Sequence, residues 1–262
     1  MYELIIIGAG PAGLTAADEA ARLGHRVTLF EKESEAGGQM RYAGKAPAKK
    51  IYEDWIRWLI GQVEKKGVEI RTNTEVTDEM LEGQDADVVI LASGGESIVP
   101  DIRGLERAMV CEGTRILSGE VPPGKNVVVL GGGLIGMEVS DFLSDRGSRV
   151  TIVEELERSP VSKRTAHGYQ LHKRLSKAEC VFLFNTQVER VEEDSVVVVS
   201  DGKEEIISPV DQVVVAVGMK PRQSLKETLA ETGIPHYVVG DASQTRRILE
   251  ATEEGAKAAW DL

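Results

Sequence analysis

Short, continuously apolar runs alternate along the chain with stretches whose apolar residues recur every three or four positions. Residues 4–7 form such a run, and residues 12–23 follow with the longer period. Runs of this length are typical of strands buried on both faces, whereas the 3.6-residue period is typical of a helix that packs with one face. Further strands are predicted at residues 26–30, 68–71, 87–91, 126–130, 149–153, 211–217 and 237–239. This alternation predicts an α/β fold.

Periodicity makes three further local predictions. A helix is predicted over residues 48–66, and apolar residues at four-residue spacing mark its packed face: Ile51, Trp55, Leu59 and Val63. Three short apolar stretches predict a small antiparallel meander: residues 181–183, 188–191 and 196–199. A terminal helix is predicted from about Arg246, with small residues for close packing: Ala251, Gly255, Ala258 and Ala259.

The first strand runs directly into a glycine-rich turn and a helix. Gly8 lets the chain turn sharply, Gly10 leaves room for a pyrophosphate beside the backbone, and Gly13 lets the helix pack closely on the strand. Pro11 suits the first helical turn, whose unpaired N–H groups attract phosphates. Glu31 follows 23 positions after Gly8, where a carboxylate can accept hydrogen bonds from a ribose diol. The unit is typical of dinucleotide binding, and glycines that serve packing alone are the alternative.

The same pattern returns in the middle of the chain. An apolar strand leads into Gly131, Gly133 and Gly136, and the strand after the next helix ends at Glu154, again 23 positions after the first glycine. A repeat that matches in strand, glycine spacing and acidic terminus is stronger evidence for dinucleotide binding than either copy alone. Two dinucleotide-binding units are therefore predicted.

Two more strands end in residues suited to a ligand. Ala92, Ser93 and Gly94 follow a buried strand, and small residues there let a backbone approach a ligand closely or cross between domains. Asp241 follows a strand near the carboxyl end of the chain, where a carboxylate points at the ligand crevice of an open α/β sheet.

The glycine- and proline-rich segment 100–125 suits a crossing between domains. We expect two Rossmann-like dinucleotide-binding domains, the second inserted in the first. Their expected bounds are residues 1–100 plus 219–262 for one and 101–218 for the other.

Composition excludes several classes of function. The chain is 42% apolar and 28% charged, as is typical of soluble globular proteins, and no run approaches the ~18 apolar residues of a membrane span. The net charge of −12 and the pI near 5.0 argue against nucleic acid or an anionic membrane as partner. The first residues carry no basic leader and no long apolar region, so we expect a cytoplasmic protein.

Cysteine usage and one basic stretch complete the sequence picture. Cys111 and Cys180 form no CxxC pair and are too few for an iron–sulfur cluster. Residues 162–177 form a basic helix candidate, interpreted as a solvated face, with docking of a partner or of cofactor phosphates as the alternative. No metal site is expected.

Together these residues resemble the two-dinucleotide-binding flavoprotein fold, and within it the carboxyl-terminal half of the 2,4-dienoyl-CoA reductase and trimethylamine dehydrogenase family. The resemblance extends over the whole chain. It rests on the two glycine motifs with their acidic partners and on four shorter motifs: Gly37-Gly38-Gln39, Leu91-Ala-Ser-Gly94, Val217-Gly218-Met-Lys-Pro221 and Gly240-Asp241.

The resemblance implies that the first unit binds FAD, that Asp241 holds the ribityl chain, and that the second unit binds a nicotinamide dinucleotide. The implied cofactor-binding residues are Gly8, Gly10, Pro11, Ala12, Gly13, Glu31, Lys32, Gly38, Gln39, Val76, Ala92, Ser93, Gly94, Gly131, Gly133, Leu134, Ile135, Gly136, Glu154, Gly218, Gly240, Asp241 and Thr245. The terminal helix N-terminus near Thr245 is expected to stabilise negative charge on reduced flavin. Trp55 and Trp58 are interpreted as core residues, with stacking against the flavin as the alternative.

The implied function is FAD-dependent oxidation of NADH, with electrons passed to a partner flavoprotein or iron–sulfur protein. No catalytic side chain is required, and Glu154 favours NADH over NADPH. Disulfide reductases of this fold carry a cysteine pair that is missing here, and larger relatives carry an amino-terminal barrel with FMN and an iron–sulfur cluster. The chain is therefore expected to be an excised half or a subunit of a split enzyme. A free-standing NADH:quinone or dye reductase and a non-redox module that binds ADP or NAD stay open as alternatives.

Overall fold

The structure, a computed structural model, describes residues 1–83 and 86–262. Its strands are β1 (Glu3–Ile7), β2 (Arg26–Phe30), β3 (Glu69–Arg71), β4 (Val88–Leu91), β5 (Gly95–Ser97), β6 (Val110–Glu112), β7 (Asn126–Leu130), β8 (Arg149–Val153), β9 (Val181–Leu183), β10 (Thr186–Val191), β11 (Val196–Ser200), β12 (Lys203–Ile207), β13 (Gln212–Val215), β14 (Met219–Pro221) and β15 (His236–Val238). Its helices are α1 (Pro11–Arg22), α2 (Met40–Ala43), α3 (Lys50–Lys65), α4 (Asp78–Glu82), α5 (Gly113–Ser118), α6 (Leu134–Asp145), α7 (Ala166–Lys177), α8 (Lys226–Thr232) and α9 (Ile248–Trp260), with a 3₁₀ turn at Gly240–Ala242. No helix within these described ranges combines the length and the apolar composition of a membrane span.

The first of two compact units consists of Met1–Arg41, Ile51–Glu96 and Met219–Leu262. Its sheet has five parallel strands in the order β15-β4-β1-β2-β3. The interior strands β1 and β4 are almost entirely buried, which explains their uninterrupted apolar sequences. Core residues of β1 and β4 pack with Leu81 of α4 and Leu229 of α8.

The second unit consists of Tyr42–Lys50 and Ser97–Gly218. It has a parallel sheet in the order β6-β13-β7-β8-β9 and an antiparallel sheet of β10, β11 and β12. Met137 and Leu143 of α6 pack with Leu171 of α7 in one core cluster, and Val196 and Val198 of β11 pack in a second.

The β1-α1-β2 segment of unit 1 and the β7-α6-β8 segment of unit 2 are copies of one arrangement. Each has five-residue strands and a twelve-residue helix, and in each the two strands pair in parallel. In sequence, the main segment of unit 2 lies between parts of unit 1. The predicted fold class, two parallel α/β domains with the second inserted in the first, is confirmed.

Small residues bring α1 and α9 into close contact, as the sequence predicts. A Cβ at residue 255 would lie 2.2 Å from the carbonyl oxygen of Ala12 in α1, so only glycine fits there. Gly240, with φ +63°, also faces Ala12, because a Cβ there would lie 2.8 Å from the Ala12 Cβ. The helix begins at Ile248 rather than at Arg246, which stands before its N-cap.

The predicted meander is wrong at its first strand. β9 pairs in parallel with β8 as the edge of the five-stranded sheet, whereas the meander consists of β10, β11 and β12. The third strand was missed because Lys203–Ile207 has three charged residues at its start and is mostly exposed. Residues 181–183 were misassigned because three residues are too few for a period to distinguish a buried parallel strand from a hairpin strand.

The packed face of α3 is also shifted from the prediction. Its buried residues are Ile56, Leu59 and Val63, while Ile51 is 71% exposed. Trp58 is 57% exposed and so is not a core residue. The spacing of four residues drifts around a helix of 3.6 residues per turn, so the first residue of such a series leaves the buried face.

We expect Gly255→Ala to lower the free energy of unfolding by about 1–3 kcal/mol, because the methyl group overlaps the Ala12 carbonyl. The matched control is Gly61→Ala in α3, where no described atom outside the local helix backbone lies within 4 Å of the added Cβ. That substitution is expected to stabilise by up to about 1 kcal/mol through helix propensity. Urea unfolding followed by circular dichroism measures both, and equal effects would contradict the proposed close contact.

Candidate functional site

The first glycine turn is shaped by close contacts within unit 1. Gly8 has φ +103°, and a Cβ there would lie 2.3 Å from the carbonyl oxygen of Ala92. A Cβ at Gly13 would lie 1.9 Å from the Gly8 carbonyl oxygen. Gly10 differs, because a Cβ added there would have the Gly38 Cα as its nearest neighbour, at 4.0 Å. Packing thus explains Gly8 and Gly13 but leaves open space at Gly10.

The second glycine turn repeats this arrangement in unit 2. Gly131 has φ +102° and approaches Ala216, whose carbonyl oxygen would lie 2.5 Å from an added Cβ. A Cβ at Gly136 would lie 2.0 Å from the Gly131 carbonyl oxygen, whereas one at Gly133 would have no atom of the described residues within 4 Å beyond its immediate neighbours in the chain. The open glycine occupies the same place in both turns.

Each open glycine is the N-cap of the following helix. Gly10 caps α1 and Gly133 caps α6, and neither cap has a side chain that can bind the first N–H groups. The first N–H groups of a helix have no intrahelical partner and carry the positive end of the helix dipole. Both turns therefore present donors suited to a phosphate beside an open space.

The two acidic residues of the repeat are buried and bind backbone N–H groups. The Glu31 carboxylate accepts hydrogen bonds from Ala9 at 2.9 Å and from Glu33 at 2.9 Å. The Glu154 carboxylate accepts them from Gly132 at 2.6 Å and from Leu156 at 3.0 Å. Each carboxylate thus ties the glycine turn to the end of the second strand, and each oxygen keeps a lone pair for a further donor.

Three more sequence-predicted segments lie beside the first turn. Ala92 contacts both Gly8 and Gly13, and Gly38 contacts Gly10. Ser93 and Gly94 follow Ala92 at the carboxyl end of β4. In parallel α/β sheets, ligands bind outside the carboxyl ends of the strands. The structure therefore brings these residues together at the edge of the sheet where a ligand is expected.

Asp241 lies at the start of the 3₁₀ turn after β15. Burial raises the pKa of its carboxyl, and this effect is partly offset by the N–H of Arg246, which donates to Oδ1 at 3.0 Å. Glu254 accepts the N–H of Gly240 and forms an ion pair with Arg246. The carboxylate of Asp241 would therefore gain from further hydrogen-bond donors.

Other residues implied by the resemblance make contacts of their own. Lys32 lies 3.7 Å from Glu33, and Val76 packs into the core of unit 1. Thr245 donates to the Met219 carbonyl at 3.2 Å and lies three residues before α9, near the N-terminus of that helix. In unit 2, Leu134 is 42% exposed in the first turn of α6, and Ile135 packs against the core. The remaining positions are Pro11 and Ala12 in the first turn of α1, half-buried Gln39, and Gly218 with φ +132°.

Sequence reasoning missed a group of buried charges in unit 2. Glu138, one turn into α6, forms an ion pair with buried Lys49, and His167 lies 3.3 Å from the same carboxylate. Asp141 is buried on the same helix and accepts hydrogen bonds from Arg174 at 2.8 Å. The sequence does carry a signal for Glu138 and Asp141, because both interrupt the apolar face of a predicted helix. It carries none for Lys49 and Arg174, the basic residues that pair with them.

The two thiols lie at opposite edges of the unit 2 sheet. Cys111 is in edge strand β6 and Cys180 directly precedes edge strand β9, roughly 19 Å apart at ~4.8 Å per strand. Burial raises the pKa of the Cys111 thiol to about 11 and raises that of Cys180 as well. Neither thiol is placed or activated for dithiol chemistry.

A protein-family model described as "Pyridine nucleotide-disulphide oxidoreductase" matches residues 2–247 of the chain. The chain is 34% identical over 267 residues to an NADH oxidase from Thermoanaerobacter brockii and 32% identical over 258 residues to a bilirubin reductase from Mediterraneibacter gnavus. These matches cover 99% and 98% of this chain but only 41% and 40% of the relatives. The chain thus spans about two fifths of the length of the curated relatives it matches.

A solved structure of 2-naphthoyl-CoA reductase in complex with 2-naphthoyl-CoA is similar over the whole chain. The TM-score is 0.93 at 28% sequence identity, and the match covers 100% of this chain and 40% of that one. The match therefore involves one part of a larger protein.

We expect both thiols to react slowly with a disulfide reagent in the native protein at pH 8. At a pKa of about 11, roughly one Cys111 in a thousand is a thiolate, and the side chain is 7% exposed. Release of the chromophore from Ellman's reagent, measured in Cys111→Ser and in Cys180→Ser, assigns each rate. Denaturant should make both rates equal and fast, and rapid native labelling of Cys111 would contradict this account.

Proposed function

We propose that this chain, which belongs to the pyridine nucleotide-disulphide oxidoreductase family, is a module that oxidises NADH through FAD and passes the electrons to a partner protein. Proteins of this family use FAD and NAD(P)H, and the chain is a flavin-dependent oxidoreductase. The preference for NADH, the placement of each cofactor and the electron acceptor are what we infer beyond the family.

One observation carries the proposal: each unit has a glycine at a helix N-cap that no packing contact explains. A Cβ at the first or third glycine of either motif would lie 2.5 Å or less from a backbone carbonyl oxygen, whereas Gly10 and Gly133 face open space. A pyrophosphate approaching the helix N–H groups needs this room. Two such turns fit two dinucleotides, as NADH oxidation through FAD requires.

The residues present fit FAD in unit 1. The turn of Gly8, Gly10 and Gly13 would hold its pyrophosphate, and the Glu31 carboxylate would accept hydrogen bonds from the ribose hydroxyl groups. The hydroxyl groups of the ribityl chain would donate to Asp241 and so offset the desolvation that raises its pKa. FAD supplies the redox chemistry, since a flavin accepts a hydride from a nicotinamide and releases electrons to an acceptor.

The residues present also fit a nicotinamide dinucleotide in unit 2, held by the second glycine turn and by Glu154. The chain's own task is to bind and orient both cofactors. Hydride transfer between nicotinamide and flavin needs no proton transfer by a side chain at the reacting atoms. We therefore name no catalytic residue.

The proposed acceptor is a protein or domain that carries FMN or an iron–sulfur cluster. Two observations support it: the chain corresponds to about two fifths of each larger relative, and its two cysteines are unsuited to dithiol chemistry. Electrons would then have to leave this chain. Reoxidation by a soluble quinone as fast as NADH reduces the flavin, without any partner, would instead favour a free-standing reductase.

We expect the protein to be yellow after incubation with FAD and removal of the unbound FAD. Anaerobic NADH is expected to bleach the flavin absorbance. Gly10→Val should abolish FAD binding, because the branched side chain fills the open space at the first turn. Visible absorbance after gel filtration measures the bound flavin.

Gly133→Val is the matched control, since it fills the corresponding space in unit 2. This variant should keep its FAD but lose bleaching by NADH. No flavin absorbance in the wild type at excess FAD would favour the non-redox module that binds ADP or NAD.

We expect NADH to exceed NADPH in kcat/KM by roughly thirtyfold to a thousandfold, or about 2–4 kcal/mol. The Glu154 carboxylate can accept a hydrogen bond from the ribose 2′-hydroxyl of NADH, whereas it would repel the 2′-phosphate of NADPH. Glu154→Gln should narrow the ratio and Glu154→Arg should narrow it further or reverse it. Steady-state rates with a dye acceptor give the ratio.

Glu155→Arg is the control for Glu154, because the neighbouring side chain is exposed. It should change the NADH to NADPH ratio far less. Equal kcat/KM values for the two nucleotides in the wild type, or an unchanged ratio in Glu154→Arg, would contradict the assignment.

A further inference from the structure

Arg222 carries a buried donor that lacks an acceptor. Its Nε is sealed from solvent and has no hydrogen-bond partner among the described residues, although the side chain is 30% exposed as a whole. The nearest carboxylate oxygen, on Glu96, lies 3.9 Å from Nε, which is too far for a hydrogen bond. Glu96 instead lies 3.1 Å from the ammonium group of Lys220.

An unsatisfied guanidinium N–H is unusual, because this group stays charged and a buried donor without a partner costs folding free energy. Native proteins satisfy nearly all such groups with an acceptor from the protein, from water or from a ligand. Arg222 therefore marks a place where a further oxygen atom belongs.

The backbone of Arg222 is fixed at the carboxyl edge of the unit 1 sheet. Its N–H donates to the Gly94 carbonyl at 2.9 Å, and its carbonyl accepts the Ser93 hydroxyl at 2.7 Å. Ser93 directly follows Ala92, the residue in contact with the first glycine turn. On the other side, Gln223 donates to the Ala242 carbonyl at 3.0 Å, one residue beyond Asp241.

We propose that Arg222 is a further cofactor-binding residue, which donates its Nε–H to an oxygen of the dinucleotide held by unit 1. The assignment rests on the proposed function. Arg222 is tied to the end of β4, and its neighbour Gln223 is tied to the turn that carries Asp241, so the pair joins both segments that flank the site. Guanidinium groups make their strongest hydrogen bonds to anionic oxygens. A dinucleotide offers such an oxygen on its diphosphate and, in FAD, a further carbonyl oxygen on the pyrimidine side of the ring.

The test compares binding and stability in Arg222→Met, which keeps the length of the side chain but has no donor. FAD and ADP titrations give the dissociation constants, and thermal melts are recorded with and without FAD. We expect FAD to bind at least about tenfold more weakly and to raise the melting temperature less than in the wild type. The cofactor-free variant should melt no lower than the wild type, because it loses no hydrogen bond at Nε.

Arg222→Lys keeps the charge without the Nε–H and should restore binding only in part. Glu96→Gln is the control for an ion pair that is merely structural, and it should leave FAD affinity unchanged. ADP binding that weakens together with FAD binding places the acceptor oxygen on the diphosphate. Unchanged ADP binding places it on the flavin side.

Two outcomes would overturn the assignment of Arg222. One is Arg222→Met with wild-type FAD affinity and a wild-type shift in melting temperature. The other is a cofactor-free variant that melts lower with an unchanged FAD-induced shift, as a structural role requires. If the wild type binds ADP but not FAD, the proposed function fails and the ADP titrations alone decide the role of Arg222. A wild type that binds neither ligand overturns both.

Discussion

The backbone of each glycine turn passes so close to the neighbouring strand that a side chain is excluded. A Cβ added at Gly8 would lie 2.3 Å from the Ala92 carbonyl oxygen, and a Cβ added at Gly131 would lie 2.5 Å from the Ala216 carbonyl oxygen. This approach fixes the positive φ of the first glycine and so the direction in which the chain leaves the strand. The following helix must then point its N-terminus over the edge of the sheet. The geometry proposed to bind phosphate thus depends on a packing constraint.

The buried carboxylates complete each turn. Glu31 and Glu154 accept the N–H of the residue after the first glycine and the N–H two residues beyond themselves. They therefore hold the turn in place even without a ribose. The proposed recognition role is compatible with this structural role because a carboxylate has more lone pairs than the protein uses. Removing the charge at either position is expected to affect both roles.

Buried charges elsewhere in unit 2 have a different character. Lys49 with Glu138, and Arg174 with Asp141, place paired ions on α6 next to an apolar core. Pairs of this kind contribute little net stability once the cost of desolvation is counted, but they fix which partners meet. In the same unit, Cys111 is buried in the core and Cys180 is partly buried against it, and burial raises the pKa of both thiols. The ion pairs therefore serve the packing of unit 2, and its thiols are unsuited to thiol chemistry.

The sequence by itself determined the fold class, the internal repeat and the residues of both glycine turns, because these depend on local requirements: uninterrupted apolar strands, glycine where a Cβ cannot fit, and an acid at a set distance. It did not determine the partners of buried polar groups. The pairing of Lys49 with Glu138 joins residues 89 positions apart, and the hydrogen bond of the Ser93 hydroxyl to the Arg222 carbonyl joins residues 129 positions apart. Nor did it place Val181–Leu183 in the parallel sheet, since a three-residue strand has no period of its own. Such features arise only when the chain folds, because long-range contacts follow from which strands lie side by side and leave no pattern in neighbouring residues.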